Sequence, residues 1–247
     1  MNLLELVAHD LNTFPDEIKE ILKEFPKIDG INIPDILSLP IRSDVASMAL
    51  LKAGVFTITH LRSRDRSIEG TVSLVQELVD LGLKHLLLIS GDPIPGEPEV
   101  PNSGTVLDQV AELKRAFPDL KVYCGLDPYR SSLKTELNYC AAKLKAGADG
   151  FFTQPFFDKN LARVFFDQLA CTTIFLGVSP VLNKNNYNYW ETKNNVVFPK
   201  GFSTDFELNC QIAKDLMSLA EQYHQHVYFM PILAPVKEYL NSIFKCV

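Results

Sequence analysis

Residues 145–154 read KAGADGFFTQ, and residues 52–61 read KAGVFTITHL. In both segments, Lys-Ala-Gly is typical of a helix that ends with a glycine just beyond its last turn. The apolar residues that follow at once are typical of a strand buried on both faces of a sheet. A helix end joined directly to a buried strand is the junction of an α/β protein, and its recurrence indicates a parallel sheet.

The same alternation extends along all 247 residues. Eight strands are predicted, roughly at 3–8, 30–34, 55–61, 85–90, 121–126, 150–154, 173–178 and 226–231. Eight helices are predicted between and after them, roughly at 14–25, 43–53, 67–82, 105–117, 133–146, 159–170, 203–224 and 235–245. These pairs close most simply into a (β/α)8 TIM barrel, which we expect to be a single domain over residues 1–247. The alternative is an open doubly wound sheet, whose reversal of strand order a sequence does not reveal.

The charge pattern excludes one class of partner. The formal net charge is −6, and Lys and Arg form no clusters, whereas binding to a phosphate backbone needs clustered positive charge. Nucleic acid is therefore not an expected partner. No apolar run reaches the roughly 18–20 residues of a membrane span. The first residues, MNLLELVAHD, lack the basic segment and cleavage site of a signal peptide, so we expect a cytoplasmic protein without a membrane span.

The cysteines are widely spaced, with no CxxC pair and no Cys/His cluster at zinc spacing. They are Cys124, Cys140, Cys171, Cys210 and Cys246. We expect ordinary reduced thiols and no metal site.

Polar residues mark the predicted strand ends, where enzymes of this fold carry their sites. They are His60, Ser90, Gly91, Asp92, Asp127, Gln154 and Tyr228. Glu5 lies inside the first predicted strand, where a carboxylate must be paired, hydrogen-bonded or functional. The Pro/Gly-rich loop 92–104 either covers a ligand or acts as a stiff connector.

Two segments carry a specific resemblance. LLLISGDPIPGEP at 86–98 and KLKAGADGFFTQPFFD at 143–158 closely resemble the methylenetetrahydrofolate reductases, and the likeness extends in register over almost the whole chain. THLRSRDRS at 59–67 is similar to the compact branch of that family. The resemblance implies a (β/α)8 barrel with FAD at its C-terminal face. It also implies hydride transfer from reduced flavin to 5,10-methylenetetrahydrofolate, giving 5-methyltetrahydrofolate for one-carbon metabolism and methionine biosynthesis.

The resemblance also implies roles for single residues. Glu5 matches the catalytic general acid, and Asp92 matches a catalytic aspartate that contacts pterin and flavin and stabilises a cationic intermediate. Gln154 matches a glutamine that hydrogen-bonds the folate pterin. Trp190 stands where a phenylalanine stacks on the aminobenzoyl group of the folate. The implied flavin contacts are His60, Ser90, Gly91, Asp92, Glu136 and Lys143.

Departures from the family pattern leave alternatives open. Tyr139 and Ala142 replace the asparagine and arginine that help hold FAD, and Ala234 falls near an arginine that meets the folate tail. One alternative is a homologue that binds folate or flavin without turnover. Another is a flavin-free folate-linked C1 transferase or accessory subunit. The partner protein expected of the chain is an electron donor or a methyltransferase. For the reductase, NAD(P)H or a partner protein is the expected electron donor, and the oligomeric state stays open.

Overall fold

The computed structural model describes residues 1–93 and 100–244, and in it eight parallel strands close into a barrel in the order β1 to β8. The predicted (β/α)8 TIM barrel is confirmed, and the open doubly wound sheet is excluded because β1 pairs with β8. The strands are β1 (Asn2–Glu5), β2 (Gly30–Ile33), β3 (Thr57–Arg62), β4 (His85–Ile89), β5 (Lys121–Leu126), β6 (Gly150–Pro155), β7 (Thr173–Val178) and β8 (His226–Phe229).

The helices surround the barrel. They are α1 (Phe14–Glu24), α2 (Ser43–Lys52), α3 (Ile68–Asp80), α4 (Val106–Ala116), α5 (Leu133–Lys145), α6 (Lys159–Gln168), α7 (Lys184–Lys193), α8 (Phe206–Gln222) and α9 (Val236–Phe244). Helix α7 was not predicted, because its segment 183–195 is polar. It forms because the Asn183 side chain accepts a hydrogen bond from the Asn186 N–H at its start and because Trp190 is buried.

The predicted helix boundaries have the expected chemistry. The Ser67 hydroxyl caps α3 by accepting from the Gly70 N–H at 3.1 Å. Gly54 and Gly147 follow α2 and α5 with φ of +75° and +110°, a conformation that glycine adopts without steric cost. The final predicted residue of α9, position 245, lies outside the described residues, as does part of the loop 92–104.

Strand β1 is shorter than predicted, and Glu5 is its last residue rather than an interior one. The neighbouring β2 ends at Ile33, since Pro34 has no N–H with which to extend the ladder. Leu6 still donates its N–H to the Asn32 carbonyl, but the chain then leaves the barrel. The Glu5 side chain is therefore placed at the C-terminal mouth.

The barrel interior is filled rather than open. Its core cluster consists of Leu3, Ile58, Leu87, Tyr123, Phe152, Phe175 and Tyr228. The Phe152 and Phe175 rings stack with centroids 4.2 Å apart. A larger apolar layer packs the outward faces of the strands against the helices. Space for a ligand is left at the C-terminal mouth.

In the described part of the chain, no helix combines the length and apolar character needed to cross a bilayer. Four of the cysteines, Cys124, Cys140, Cys171 and Cys210, are free thiols, as predicted. Cys246 lies outside the described residues.

Candidate active site

A cavity of about 750 Å³ opens at the C-terminal mouth of the barrel. This volume lies within the range of roughly 300–1,000 Å³ that small-molecule sites occupy. Its lining includes the predicted residues Glu5, His60, Ser90, Gly91, Asp92, Lys143, Gln154 and Trp190. Residues far apart in the sequence thus meet around one space, while Glu136 is buried behind its wall.

Three side chains at the base of the cavity form a hydrogen-bonded row. The Asn32 amide donates through Nδ2 to Glu5 Oε2 at 2.8 Å, and its Oδ1 lies 2.7 Å from His60 Nε2. The His60 and Glu5 side chains are 4.0 Å apart, beyond direct hydrogen bonding. Asn32 therefore bridges the two titratable groups.

Burial shifts both titratable groups towards their neutral forms. Removal from water raises the pKa of Glu5 to about 8, although the bond donated by Asn32 opposes the rise. Removal from water lowers the pKa of His60 to about 3, although the charge of Asp35 opposes the fall. At neutral pH Glu5 therefore holds a proton, and neutral His60 donates its Nε2–H to Asn32. The site can supply a proton from Glu5.

The sequence reasoning did not identify Asn32. A signal for it existed: asparagine is depleted in strands, yet it stands in the fully buried strand GINI of β2. A buried amide needs hydrogen-bond partners, so its position alone predicted a polar contact inside the barrel.

The turn after β4 packs against the side chain of Arg62. Gly91 has φ of +73°, and a Cβ there would lie 2.6 Å from Cζ of Arg62. Arg62 donates to the Asp92 backbone carbonyl at 2.6 Å and to Asp65 at 3.0 Å. The Asp92 side chain is exposed at the cavity, as is Ser90. Gly91 is required so that the chain can pass over the buried guanidinium and present Asp92.

Charged pairs continue along the rim beside β2 and β3. Arg42 contacts Asp35 at 2.7 Å and Asp65 at 2.6 Å, and Asp65 in turn contacts Arg62. These two hydrogen-bonded carboxylates raise the pKa of Arg42. We call Arg42, Asp35, Asp65 and Arg62 the rim network. It joins the loop after β2 to the turn that carries Asp92.

The end of β6 is held by its neighbours and leaves Gln154 free to bind. The Tyr228 hydroxyl donates to the Thr153 carbonyl, and Thr153 Oγ1 accepts from the Gly177 N–H at 2.9 Å. The half-buried Gln154 amide makes no hydrogen bond to the described residues. It faces the cavity with both donor and acceptor capacity.

A second charged group lies across the barrel on β5 and α5. Both carboxylate oxygens of Glu136 are used, by the Asp127 N–H at 3.1 Å and by Arg130 at 2.6 Å. Lys143 donates to the Gly125 carbonyl at 2.6 Å, and its Nζ lies 3.8 Å from the Tyr139 ring centroid. Burial lowers the pKa of Lys143.

Arg130 is a cavity residue that the sequence reasoning missed, because it lies in a loop without a recognisable motif. Its side chain is 46% exposed, whereas the cavity residues Lys143 and Arg62 are buried. Among the described cavity residues, Arg130 is therefore the cation most open to a ligand. Fixed positive charge of this kind suits a phosphate group.

The lining fits a flavin nucleotide. Apolar surface for a flat ring system comes from the half-buried Ile89 and Met230 and from the exposed Ile36, Leu37 and Ile232. Arg130 offers positive charge beside helix α5, at whose positions 139 and 142 the uncharged Tyr139 and Ala142 stand. Within residues 1–93 and 100–244, no group of three or more His, Cys, Asp or Glu side chains is arranged to hold a metal ion.

Trp190 lies at the cavity, but most of its ring is covered. It is 3% exposed and packs edge-on against Phe157 with centroids 5.9 Å apart. Its neighbour Tyr189 also lines the cavity and is 54% exposed. The larger free aromatic surface for stacking is therefore that of Tyr189.

Comparison with known families gives a consistent match. The family model described as methylenetetrahydrofolate reductase matches residues 38–218. The chain is 29% identical over 163 residues to a 5,10-methylenetetrahydrofolate reductase of Pectobacterium carotovorum subsp. carotovorum, covering 63% of this chain and 54% of the relative. It is 26% identical over 166 residues to the protein of that name from Escherichia coli K12, with the same coverage. The chain thus spans about half the length of these curated relatives.

A more distant relative is a probable methylenetetrahydrofolate reductase (NADPH) of Caenorhabditis elegans. It is 24% identical over 189 residues, which cover 72% of this chain and 28% of the relative.

Solved structures also resemble the fold. One is 2,3-dimethylmalate lyase of the PEP mutase/isocitrate lyase superfamily, with a TM-score of 0.60, 11% identity and coverage of 96% and 77%. Another is phosphonopyruvate hydrolase, with a TM-score of 0.56 and 12% identity, where the match covers 94% of this chain and 75% of the other. At these identities the likeness concerns the fold alone.

Proposed function

The chain belongs to the methylenetetrahydrofolate reductase family, and from that premise we propose that it reduces 5,10-methylenetetrahydrofolate to 5-methyltetrahydrofolate with a bound flavin, FAD, in the cytoplasm. NAD(P)H or a partner protein would return electrons to the flavin. The catalytic residues would be Glu5 and Asp92, as the resemblance implies.

The observation that carries the proposal is a carboxyl group that keeps its proton at neutral pH inside the cavity. Glu5 has a pKa of about 8 because it is buried. Opening the five-membered ring of the substrate to a reactive iminium requires a proton on a ring nitrogen. A general acid works best when its pKa lies near the working pH. Glu5 meets that requirement, and His60, neutral at the same pH, does not.

Other residues at the cavity would bind the folate and stabilise the charge that develops on it. The Gln154 amide would pair with the pterin, whose ring offers both donors and acceptors. The exposed Asp92 carboxylate would stabilise the positive charge that develops on the iminium. Tyr189 and the edge of Trp190 would provide the surface against which the aminobenzoyl group packs.

Arg130, Lys143 and the apolar wall would hold the flavin, with His60, Ser90 and Gly91 near it as the resemblance implies. When bound, the flavin supplies a hydride to the methylene carbon of the folate. Glu5 supplies the proton that accompanies ring opening, and water must be kept from the iminium meanwhile. The buried base of the cavity serves that purpose.

The first test is an absorption spectrum of the purified protein with and without added FAD, followed by titration with 5-methyltetrahydrofolate. We expect flavin absorbance that 5-methyltetrahydrofolate bleaches, which is the reductase reaction run backwards. A colourless protein that binds folate but no FAD would instead favour the flavin-free alternatives. A protein that binds FAD and folate without bleaching would favour the homologue without turnover.

The role of Arg130 in holding the flavin has its own test. Arg130→Gln should weaken FAD and FMN binding by roughly 10-fold or more, the effect of losing one charge-assisted hydrogen bond. Riboflavin, which lacks phosphate, should bind as before. Arg115→Gln is the matched control, because Arg115 pairs with Glu112 on the exposed surface of α4. Equal losses for all three flavins would assign Arg130 a structural role.

A further inference from the structure

Asn32 connects the acid of the proposed reaction to the only other titratable residue in its row. The side chain is fully buried, with 0% exposure. Its Nδ2 donates to Glu5 Oε2 at 2.8 Å, and its Oδ1 lies 2.7 Å from His60 Nε2. An amide buried this deeply at the base of the cavity controls how both partners are oriented.

We propose that Asn32 is a positioning residue, which holds Glu5 Oε2 so that the acidic proton is carried on Oε1 and presented to the cavity. This inference rests on the proposed function, because it assigns to Glu5 the proton that opens the substrate ring. Asn32 itself contacts neither substrate nor flavin in this role.

The first argument concerns the Glu5 carboxyl. The N–H of Asn32 can only donate, so Oε2 must face it with a lone pair. A protonated Oε2 would be the weaker acceptor for that N–H, because a carboxylic acid accepts hydrogen bonds more strongly at its carbonyl oxygen than at its hydroxyl oxygen. Glu5 Oε1 has no hydrogen-bond partner among the described residues, and Glu5 lines the cavity. The proton of the neutral acid therefore belongs on Oε1.

The second argument concerns the orientation of the amide. Asn32 Oδ1 lies 2.7 Å from His60 Nε2, which assigns neutral His60 the tautomer with its hydrogen on Nε2. In this tautomer the amide cannot turn around without setting its NH₂ group against that hydrogen. His60 thus fixes the amide, and the amide fixes Glu5. His60 does not have to gain or lose a proton in this arrangement.

Other titratable groups around the row do not replace Asn32. From β8, Tyr228 faces Glu5 but donates its hydroxyl to the Thr153 carbonyl, and burial raises its pKa. From the loop after β2, Asp35 acts on His60 but is paired with Arg42. Neither donates a hydrogen bond to the Glu5 carboxyl.

The test compares Asn32→Leu with wild type over pH 6–10. Loss of the donor should lower kcat by roughly 10- to 100-fold with little change in KM, as expected when an orienting contact is lost. The basic limb of the profile should move to higher pH, because Asn32 lowers the pKa of Glu5. Thr59→Val is the control: Thr59 is equally buried in β3 and its hydroxyl has no hydrogen-bond partner among the described residues, so the pH profile of this variant should match wild type.

A merely structural role would give a different result. The proposal would be overturned if kcat and the melting temperature fell together, KM rose, and the basic limb of the pH profile stayed at its wild-type position. If Asn32→Leu does not fold, the isosteric Asn32→Asp takes its place. There the limb should again move to higher pH, because a second carboxyl beside Glu5 disfavours its ionisation. An unmoved limb would again overturn the proposal.

One measurement separates this inference from the proposed function. Infrared difference spectra of wild type against Glu5→Gln isolate the Glu5 carboxyl without any substrate. Its titration midpoint and carbonyl band should change in the Asn32→Leu background. If they change and no folate is reduced, the positioning contact stands and the proposed reaction fails. If neither changes, the inference fails even where folate reduction is observed.

Discussion

Two polar networks lie side by side at the mouth of the barrel, and they solve burial differently. The row formed by Glu5, Asn32 and His60 is buried and, at neutral pH, uncharged. The rim network beside it is charged throughout, with Arg42 partly open to water. Three of the four rim side chains are as buried as the row, but each carboxylate there has an arginine partner that offsets the cost of its burial. Glu5 has no such partner in the row, so burial favours its neutral form. The comparison therefore predicts that the row takes part in proton transfer and that the rim network holds the surrounding structure in place.

The largest effect should come from breaking the row at its acid. Glu5→Gln keeps an acceptor for the Asn32 N–H but removes the proton. Folate reduction should fall by about 10²- to 10⁴-fold, the usual contribution of a general acid. Reduction of bound flavin by NAD(P)H or another competent reductant should be nearly unchanged. Stopped-flow measurement of each half-reaction checks this, and a loss of both together would make Glu5 a structural group.

The two pKa shifts predict a pH dependence of stability that sharpens the comparison. Glu5 has its pKa raised from 4.5 to about 8, so its contribution to stability is lost as the pH rises towards 8. His60 has its pKa lowered from 6.5 to about 3, so its contribution is lost as the pH falls from 6.5 towards 3. Each slope is on the order of 1.4 kcal/mol per pH unit.

Between about pH 4.5 and 6.5 the two slopes oppose each other, so together the groups give a plateau. Urea unfolding of wild type and Glu5→Gln at several pH values measures the difference. In the variant, the decline that Glu5 causes above pH 6.5 should be absent. An identical decline in both proteins would show that Glu5 is not the group responsible.

A smaller effect is expected from disturbing the rim network at Arg62 through its neighbour Gly91. In Gly91→Ala the new Cβ meets the guanidinium of Arg62, which is held by Asp65 and cannot move aside. We expect a loss of about 1–3 kcal/mol in the free energy of unfolding and roughly 10-fold slower turnover from a displaced Asp92. Gly54→Ala is the control, since its φ is +75° and nothing lies within 4 Å. Equal losses in both variants would leave only backbone strain as the cause.

The smallest effect tests whether the rim influences the row. Arg42→Gln should cost about 1–2 kcal/mol of stability, because Arg42 is partly solvated but the Asp35 carboxyl that loses it is buried. Asp35 would then lack its main counter-charge, so the pKa of His60 should rise above about 3. An NMR titration of the His60 ring detects this, with Arg115→Gln as the exposed control pair. An unchanged His60 titration would mean that the two networks are electrostatically independent.

The fold was predictable because its signals are local. Lys-Ala-Gly followed by apolar runs at 52–61 and 145–154 marks two helix ends, each joined to a buried strand within ten residues. The strand–helix alternation that these junctions indicate recurs around the eight strands of the barrel. Helix α7 was missed because its residues are polar, and it owes its place to a cap and to burial of Trp190. Polar residues at strand ends, such as His60 and Gln154, were identifiable because parallel strands bring those ends together.

What the sequence determined by itself was the order of strands and helices, the family resemblance and most of the side chains at the mouth. Only the tertiary structure decided the proton states of Glu5 and His60, the bridging position of Asn32 and the exposure of Arg130. Asn32 meets its partners across 27 and 28 residues of sequence. Desolvation depends on atoms brought in by distant strands, so a pKa or a buried contact is set only when the barrel closes.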